Sequence, residues 1–171
     1  MLVAAPAALL DDSDLGDLLR SAPCDVAVLT GRGPSPGPVL VPFAGTDHDW
    51  SAIELGAWLA GSWQVPLRLA GPAVEGARDA SRLLASASLA VQRALGVAAE
   101  PLLVEPGPEA LVAAAAEAGV TVVGLSDRWR KDGLGPTRGA LVASGYPTLL
   151  VRKGLRPGGL APAENLTRFT W

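Results

Sequence analysis

The one histidine of the chain, His48, lies in Thr46-Asp47-His48-Asp49, where Thr46 can cap a helix and the two acids fall in its positive first turn. A histidine at a helix start is either a solvated neighbour of the cap or a base, and no nucleophile stands in evident relation to this one. Ser126 lacks the Gly-x-Ser-x-Gly context of a strained nucleophile elbow. Cys24, between Pro23 and Asp25, reads as a small buried or half-buried residue rather than a reactive thiol. One cysteine and one histidine cannot make an internal disulfide or a Cys/His zinc site. The expectation is therefore no catalytic residue, no metal and no enzyme activity. Binding is the chemistry left. Arg128, Arg130, Lys131 and Arg138 cluster in one segment, and they either gather a diffusible anion or pair with Asp127 and Asp132 on a solvated surface. Trp50, Trp58, Trp63 and Trp129 either stack on a base or pack against the fold and its partners.

The elements that must position these residues are legible as apolar runs between turn signals. Val39-Leu40-Val41-Pro42-Phe43 is a continuous run followed by Ala44-Gly45-Thr46, the pattern of a buried strand feeding a helix. The helix recurs through Ala52, Leu55 and Leu59 and should end near Trp63. Pro66 to Ala70 predicts a second strand, stopped by Gly71-Pro72. A long helix follows between Glu75 and Leu95, with Leu84, Ala87, Val91 and Leu95 on one face and Gly96 at its end. Pro101 to Val104 is a third strand, and Pro108 opens an alanine-rich helix running to Ala118. Val120 to Gly124 is a fourth strand. After a polar, basic loop come a short helix over Thr137 to Ser144 and a fifth strand, Thr148 to Val151. Strands alternating with helices predict an α/β fold: a doubly wound parallel sheet with right-handed crossovers.

The length, 171 residues, suits roughly one domain, and 49% apolar with 18% charged residues excludes a disordered chain. The net charge of −3 gives nothing to attract nucleic acid. The longest near-apolar stretch, Ala110 to Leu125, contains Glu117 and is too short to span a bilayer, and Asp11, Asp12, Asp14 and Asp17 follow a start without a basic region, unlike a signal peptide. A soluble domain in a reducing compartment is expected.

Residues 1–30 echo the end of the chain. Leu19 to Leu29 and Leu141 to Val151 share a helix, turn and apolar-strand order, and each unit follows an apolar strand, Leu2-Val3 or Val122-Val123. Residues 1–30 thus read as the last strand, helix and strand of a preceding, similar domain. Residues 31–38 are then a linker, 39–153 the main domain and 154–171 an extended tail.

The segments Val39 to Thr46, Gly124-Leu125-Ser126-Asp127 and Tyr146 to Arg152 resemble the universal stress protein family over about residues 38–153. The resemblance implies a Rossmann-like five-stranded sheet of order 3-2-1-4-5, dimerisation through the edge of strand five, and a ligand site at the strand ends. Carried onto this chain, that site is Phe43, Ala44, Gly45, Thr46, Gly124, Ser126, Asp127, Arg128, Arg130 and Arg138. Nucleotide-binding members carry an aspartate at Ala44 and a second glycine at Asp127, and Gly135-Pro136 falls where a final Gly-Ser pair belongs. A carboxylate and a proline remove the amides and add like charge where phosphate would sit, so the motif is degenerate. A nucleotide, ATP or a cyclic dinucleotide, would rely on the arginines. Pairing through strand five is expected along Val26 and Val28 against Thr148, Leu149, Leu150 and Val151, within the chain or between copies.

His48-Asp49-Trp50, Asp127-Arg128-Trp129-Arg130, Gly133 to Arg138 and the closing Leu166 to Trp171 also resemble the cytosolic C-terminal regions of bacterial monovalent cation/proton antiporters. This implies a regulatory domain following a membrane transporter in the same polypeptide, at the cytoplasmic face of the membrane. A stand-alone nucleotide-binding stress protein and a dimerisation scaffold are the alternatives.

Overall fold

In the computed structural model, residues 2–4, 13–73, 78–155 and 159–160 are described. They form β1 (Leu2–Ala4), α1 (Ser13–Ser21), β2 (Val26–Thr30), β3 (Val39–Pro42), α2 (Asp47–Trp63), β4 (Leu67–Pro72) and α3 (Arg78–Leu95). Then follow β5 (Ala99–Val104), α4 (Pro108–Ala116), β6 (Val120–Leu125), α5 (Trp129–Asp132), α6 (Gly135–Ala143) and β7 (Thr148–Arg152). The strands make one seven-stranded sheet in the order β1-β2-β7-β6-β3-β4-β5. Every pairing is parallel except β2 with β7. Within it, β3 to β7 reproduce the 3-2-1-4-5 order of a doubly wound sheet.

Alternation along the strands separates two cores. Val39 and Val41 of β3 and Leu149 and Val151 of β7 face α2 and α3, while Leu40 and Leu150 face α1, α4 and α6. All six side chains are buried, which is why β3 and β7 read as unbroken apolar runs.

Val26 to Thr30 lies antiparallel to Thr148 to Arg152, with Val28 opposite Leu150. The strand-five edge is therefore covered from within the chain. On the other side of β2, Leu2 to Ala4 pairs in parallel, so β1–α1–β2 repeats the β6–α6–β7 order across this antiparallel seam.

Some local expectations are corrected. β4 continues through Gly71 to Pro72, because β3 ends opposite Ala70 and leaves no partner for the N–H that proline lacks. Ala73 N already bonds Val104 O on the other side. The loop after β6 contains the short helix α5, whose Trp129 packs against the fold, buried in the α1/α4/α6 core. Cys24 is exposed. Gly96 does end α3, with φ +69° and its N–H on Gln92 O. Gly119, just past α4, is required by packing: its missing Cβ makes room for the backbone of Ser35 and Gly37 in the linker. Of the tail expected over 154–171, residues 156–158 and 161–171 lie outside the described residues, while Leu160 is buried in the α2/α3 core.

Candidate functional site

β3 and β6 are neighbours whose crossovers leave on opposite faces, so a crevice opens at their C-terminal ends. It is a cavity of about 300 Å3 between the β3–α2 turn, the ends of β4 and β5, and the start of α6. Phe43, Ala44 and Thr46 form one wall, Ala70, Gly71 and Pro72 the base, and Thr137 and Arg138 the opposite side. Phe43 is held by an edge-on contact with Trp50, 4.9 Å between ring centres.

The polar groups of this wall are already partnered. Asp49, buried at the third position of α2, accepts the backbone N–H of both Ala44 and Thr46 through Oδ2, each at 3.1 Å. The pattern is a capping box in which an acid three residues after the cap reaches back to it. Thr46-x-x-Asp49 is visible in the sequence, and it is the signal that identifies Asp49 as a site residue beyond those drawn from the family pattern.

Arg138 closes the other side. Its Nε–H donates to Gly124 O at 2.6 Å and its Nη2 lies 3.0 Å from His48 Nε2. Burial, the largest effect, and then the Arg138 charge lower the His48 pKa, while Asp49, Asp127 and Asp47 raise it. A neutral imidazole accepts from the guanidinium through Nε2 and keeps its proton on Nδ1. Gly124 is required for a reason unrelated to phosphate: a Cβ there would lie well under 3 Å from the carbonyl of His48 and crowd the amide of Asp49. The first glycine of the family pattern is thus a packing glycine here.

Of the residues predicted for the ligand, Phe43, Ala44, Thr46 and Arg138 line the cavity, and Gly45, Gly124, Ser126, Asp127, Arg128 and Arg130 are not among its walls. The cations divide accordingly. Arg128 pairs with Asp132 at 3.0 Å, Asp127 pairs with Arg152 at 3.0 Å, and Arg130 lies over the Trp129 ring and against Gly16 of α1. Ser126 Oγ accepts the Arg128 N–H, an ordinary turn contact. The site also includes Glu105, at the exposed mouth, and Pro72 and Val104, which only the packing of β4 against β5 brings there. Among the described residues no group of three metal-ligating side chains exists, and no helix is long and apolar enough to cross a membrane.

No protein-family model matches the chain, and no curated protein matches it. Solved structures do. A universal stress protein family member from Burkholderia pseudomallei superposes with a TM-score of 0.55 at 23% identity, covering 70% of this chain and 99% of that one. A universal stress protein solved in complex with cAMP does so at 0.55 and 21%, covering 69% and 98%. A universal stress protein from Archaeoglobus fulgidus reaches 0.63 at 16% identity, covering 90% of this chain and 61% of the other. At these identities the likeness establishes the fold, which is that of universal stress protein structures.

Proposed function

We propose that this chain, a universal-stress-protein fold in architecture, is a non-catalytic regulatory module that senses a nucleotide-type ligand at the switch-point cavity. The observation that carries this reading is the commitment of the site's own polar groups. Asp49 holds the turn amides, Arg138 holds Gly124 O and His48, and the wall between them is apolar. Nothing in that set is arranged as a nucleophile with its base. A volume near 300 Å3 is at the small end of ligand pockets and suits a base with its sugar rather than a triphosphate. Two of the five guanidinium N–H donors of Arg138 are used, so the arginine can meet a single phosphate at the mouth. The cAMP complex of a structural neighbour makes cyclic nucleotides the first ligands to try.

The module is proposed to work as the cytosolic tail of a cation/proton antiporter, conveying ligand binding to the transporter. Support comes from the antiporter-like segments around His48, Asp127 to Arg130 and Gly133 to Arg138. It also comes from the strand-helix-strand unit seamed to β7, which fits the end of a preceding similar domain. The longer Archaeoglobus chain, of which this one spans 61%, matches 90% of this chain, a larger share than residues 39–153 alone would supply.

Calorimetry with cAMP, ATP and a cyclic dinucleotide tests the cavity. Heat with a cyclic nucleotide, abolished by Arg138→Ala, is expected; no heat at millimolar ligand would end the ligand reading. Reading the coding sequence upstream of Met1 tests the transporter separately, since about ten or more apolar 20-residue segments should precede it.

A further inference from the structure

His48 lines the switch-point cavity beside Arg138, and its side chain is 20% exposed there. The two side chains meet at 3.0 Å through Nε2 and Nη2, so the neutral imidazole accepts one guanidinium N–H. A protonated imidazole carries N–H at both ring nitrogens and has no acceptor left. Acid therefore turns this hydrogen bond into two cationic donors that face each other at the edge of a cavity. An anion set between them would bond to both.

We propose that the phosphate of a cyclic-nucleotide-type ligand sits between His48 and Arg138, and that its binding takes up one proton from solvent on His48 Nε2. This rests on the nucleotide reading of the cavity and adds to it a second binding residue and a dependence on pH. The charges facing the imidazole come from three elements: Asp47 and Asp49 of α2, Asp127 after β6, and Arg138 of α6. Asp49 Oδ1 is 3.9 Å from Nε2, while Oδ2 of the same carboxylate accepts the amides of Ala44 and Thr46. Asp127 is paired with Arg152 at 3.0 Å. These acids offset the imidazolium only in part, since burial and Arg138 outweigh them and hold His48 below its ordinary pKa. A monoanion against both cations shifts that balance, because it cancels the repulsion from Arg138 and favours the charged imidazole. Linkage is reciprocal, so a ligand that favours protonation of His48 binds more tightly as the pH falls. The apolar lining, including Phe43, Ala70, Pro72 and Val123, is left for the base.

Cyclic AMP and a cyclic dinucleotide are the probes, because a phosphodiester does not titrate near neutral pH and any proton taken up then belongs to the protein. Calorimetry should show about three- to tenfold tighter binding at pH 5.5 than at pH 7.5, the gain that one proton gives when its midpoint rises by about half to one unit. Titrations in buffers of different ionisation enthalpy should show proton uptake in the native protein and none in His48→Gln. A second measurement needs no variant. His48 is the one histidine of the chain, so its imidazole resonance can be followed against pH directly, and a saturating phosphodiester should raise the midpoint by the same half to one unit or so. The direction separates this from a purely structural role, in which loosening the clamp in acid would weaken the ligand. Binding that is equal or weaker at pH 5.5, or an imidazole midpoint that the ligand leaves unmoved, would overturn the proposal and leave the nucleotide reading standing. Absence of heat at both pH values with both probes would end the two together.

Discussion

Arg138 Nη2 lies 3.0 Å from His48 Nε2, across ninety positions of sequence, and this contact ties the first turn of α2 to α6 over the end of β6. The carbonyl of Gly124 receives the same guanidinium, so three elements around the cavity share one side chain.

Acid should loosen that clamp. The His48 pKa is lowered first by burial and then by Arg138, so the folded chain binds fewer protons at this residue than the unfolded chain does. Its contribution to stability is complete above the unfolded value, near 6.5. It falls as the pH drops from there to the lowered folded value, and is constant below that. Urea titrations at pH 7.5 and 5 should show the loss in the native protein and a smaller loss in His48→Gln. An identical loss in both would remove His48 as its source.

Gly124→Ala should destabilise the fold by about 1–3 kcal/mol or more, because the added methyl meets backbone of His48 and Asp49, which cannot rotate away. Calorimetric unfolding reads this directly. A variant as stable as the native protein would return Gly124 to the role of a loop glycine kept for a ligand.

Asp49→Ala leaves the N–H groups of Ala44 and Thr46 without their acceptor in a part-buried turn, at a cost of about 1–3 kcal/mol. The reshaped wall should also weaken any cyclic nucleotide that binds the native cavity. Asp47→Ala, which lacks these bonds among the described contacts, is the matched control, and equal unfolding midpoints for the two variants would contradict the assignment.

Leu150 sits at the seam opposite Val28, fully buried, and Leu150→Ala should cost about 2–5 kcal/mol. Because the seam joins β2 to β7 in one sheet, α1 and β2 should lose amide protection in the same transition as β6. An earlier, separate opening of residues 13–30 would show that the strand-helix-strand unit is an appendage.

The strands could be read without the fold because both sheet faces are covered, so Val39 to Phe43, Val120 to Gly124 and Thr148 to Val151 are apolar but for Thr121 and Thr148 and are bounded by turn residues. The seam was legible too, since Asp25 to Leu29 repeats the pattern of the strand it joins. Thr46-x-x-Asp49 carries its own capping chemistry over four residues. Such features depend on neighbours along the chain, and composition with spacing is enough to specify them. The cavity was not of this kind. Four arginines and lysines in one segment look alike in sequence, yet Arg138 reaches His48 while Arg128 folds onto Asp132 and Arg130 onto Trp129 and α1. Which cation faces the crevice depends on the path of α5 and α6 over the sheet, and Trp129 determines that path by entering the core. Gly124 likewise matches a phosphate-loop glycine letter for letter, and only the approach of the α2 backbone reveals that packing requires it. Contacts between groups distant in sequence are fixed by how the layers close, because hard-core repulsion and burial act on positions in space that no local pattern encodes.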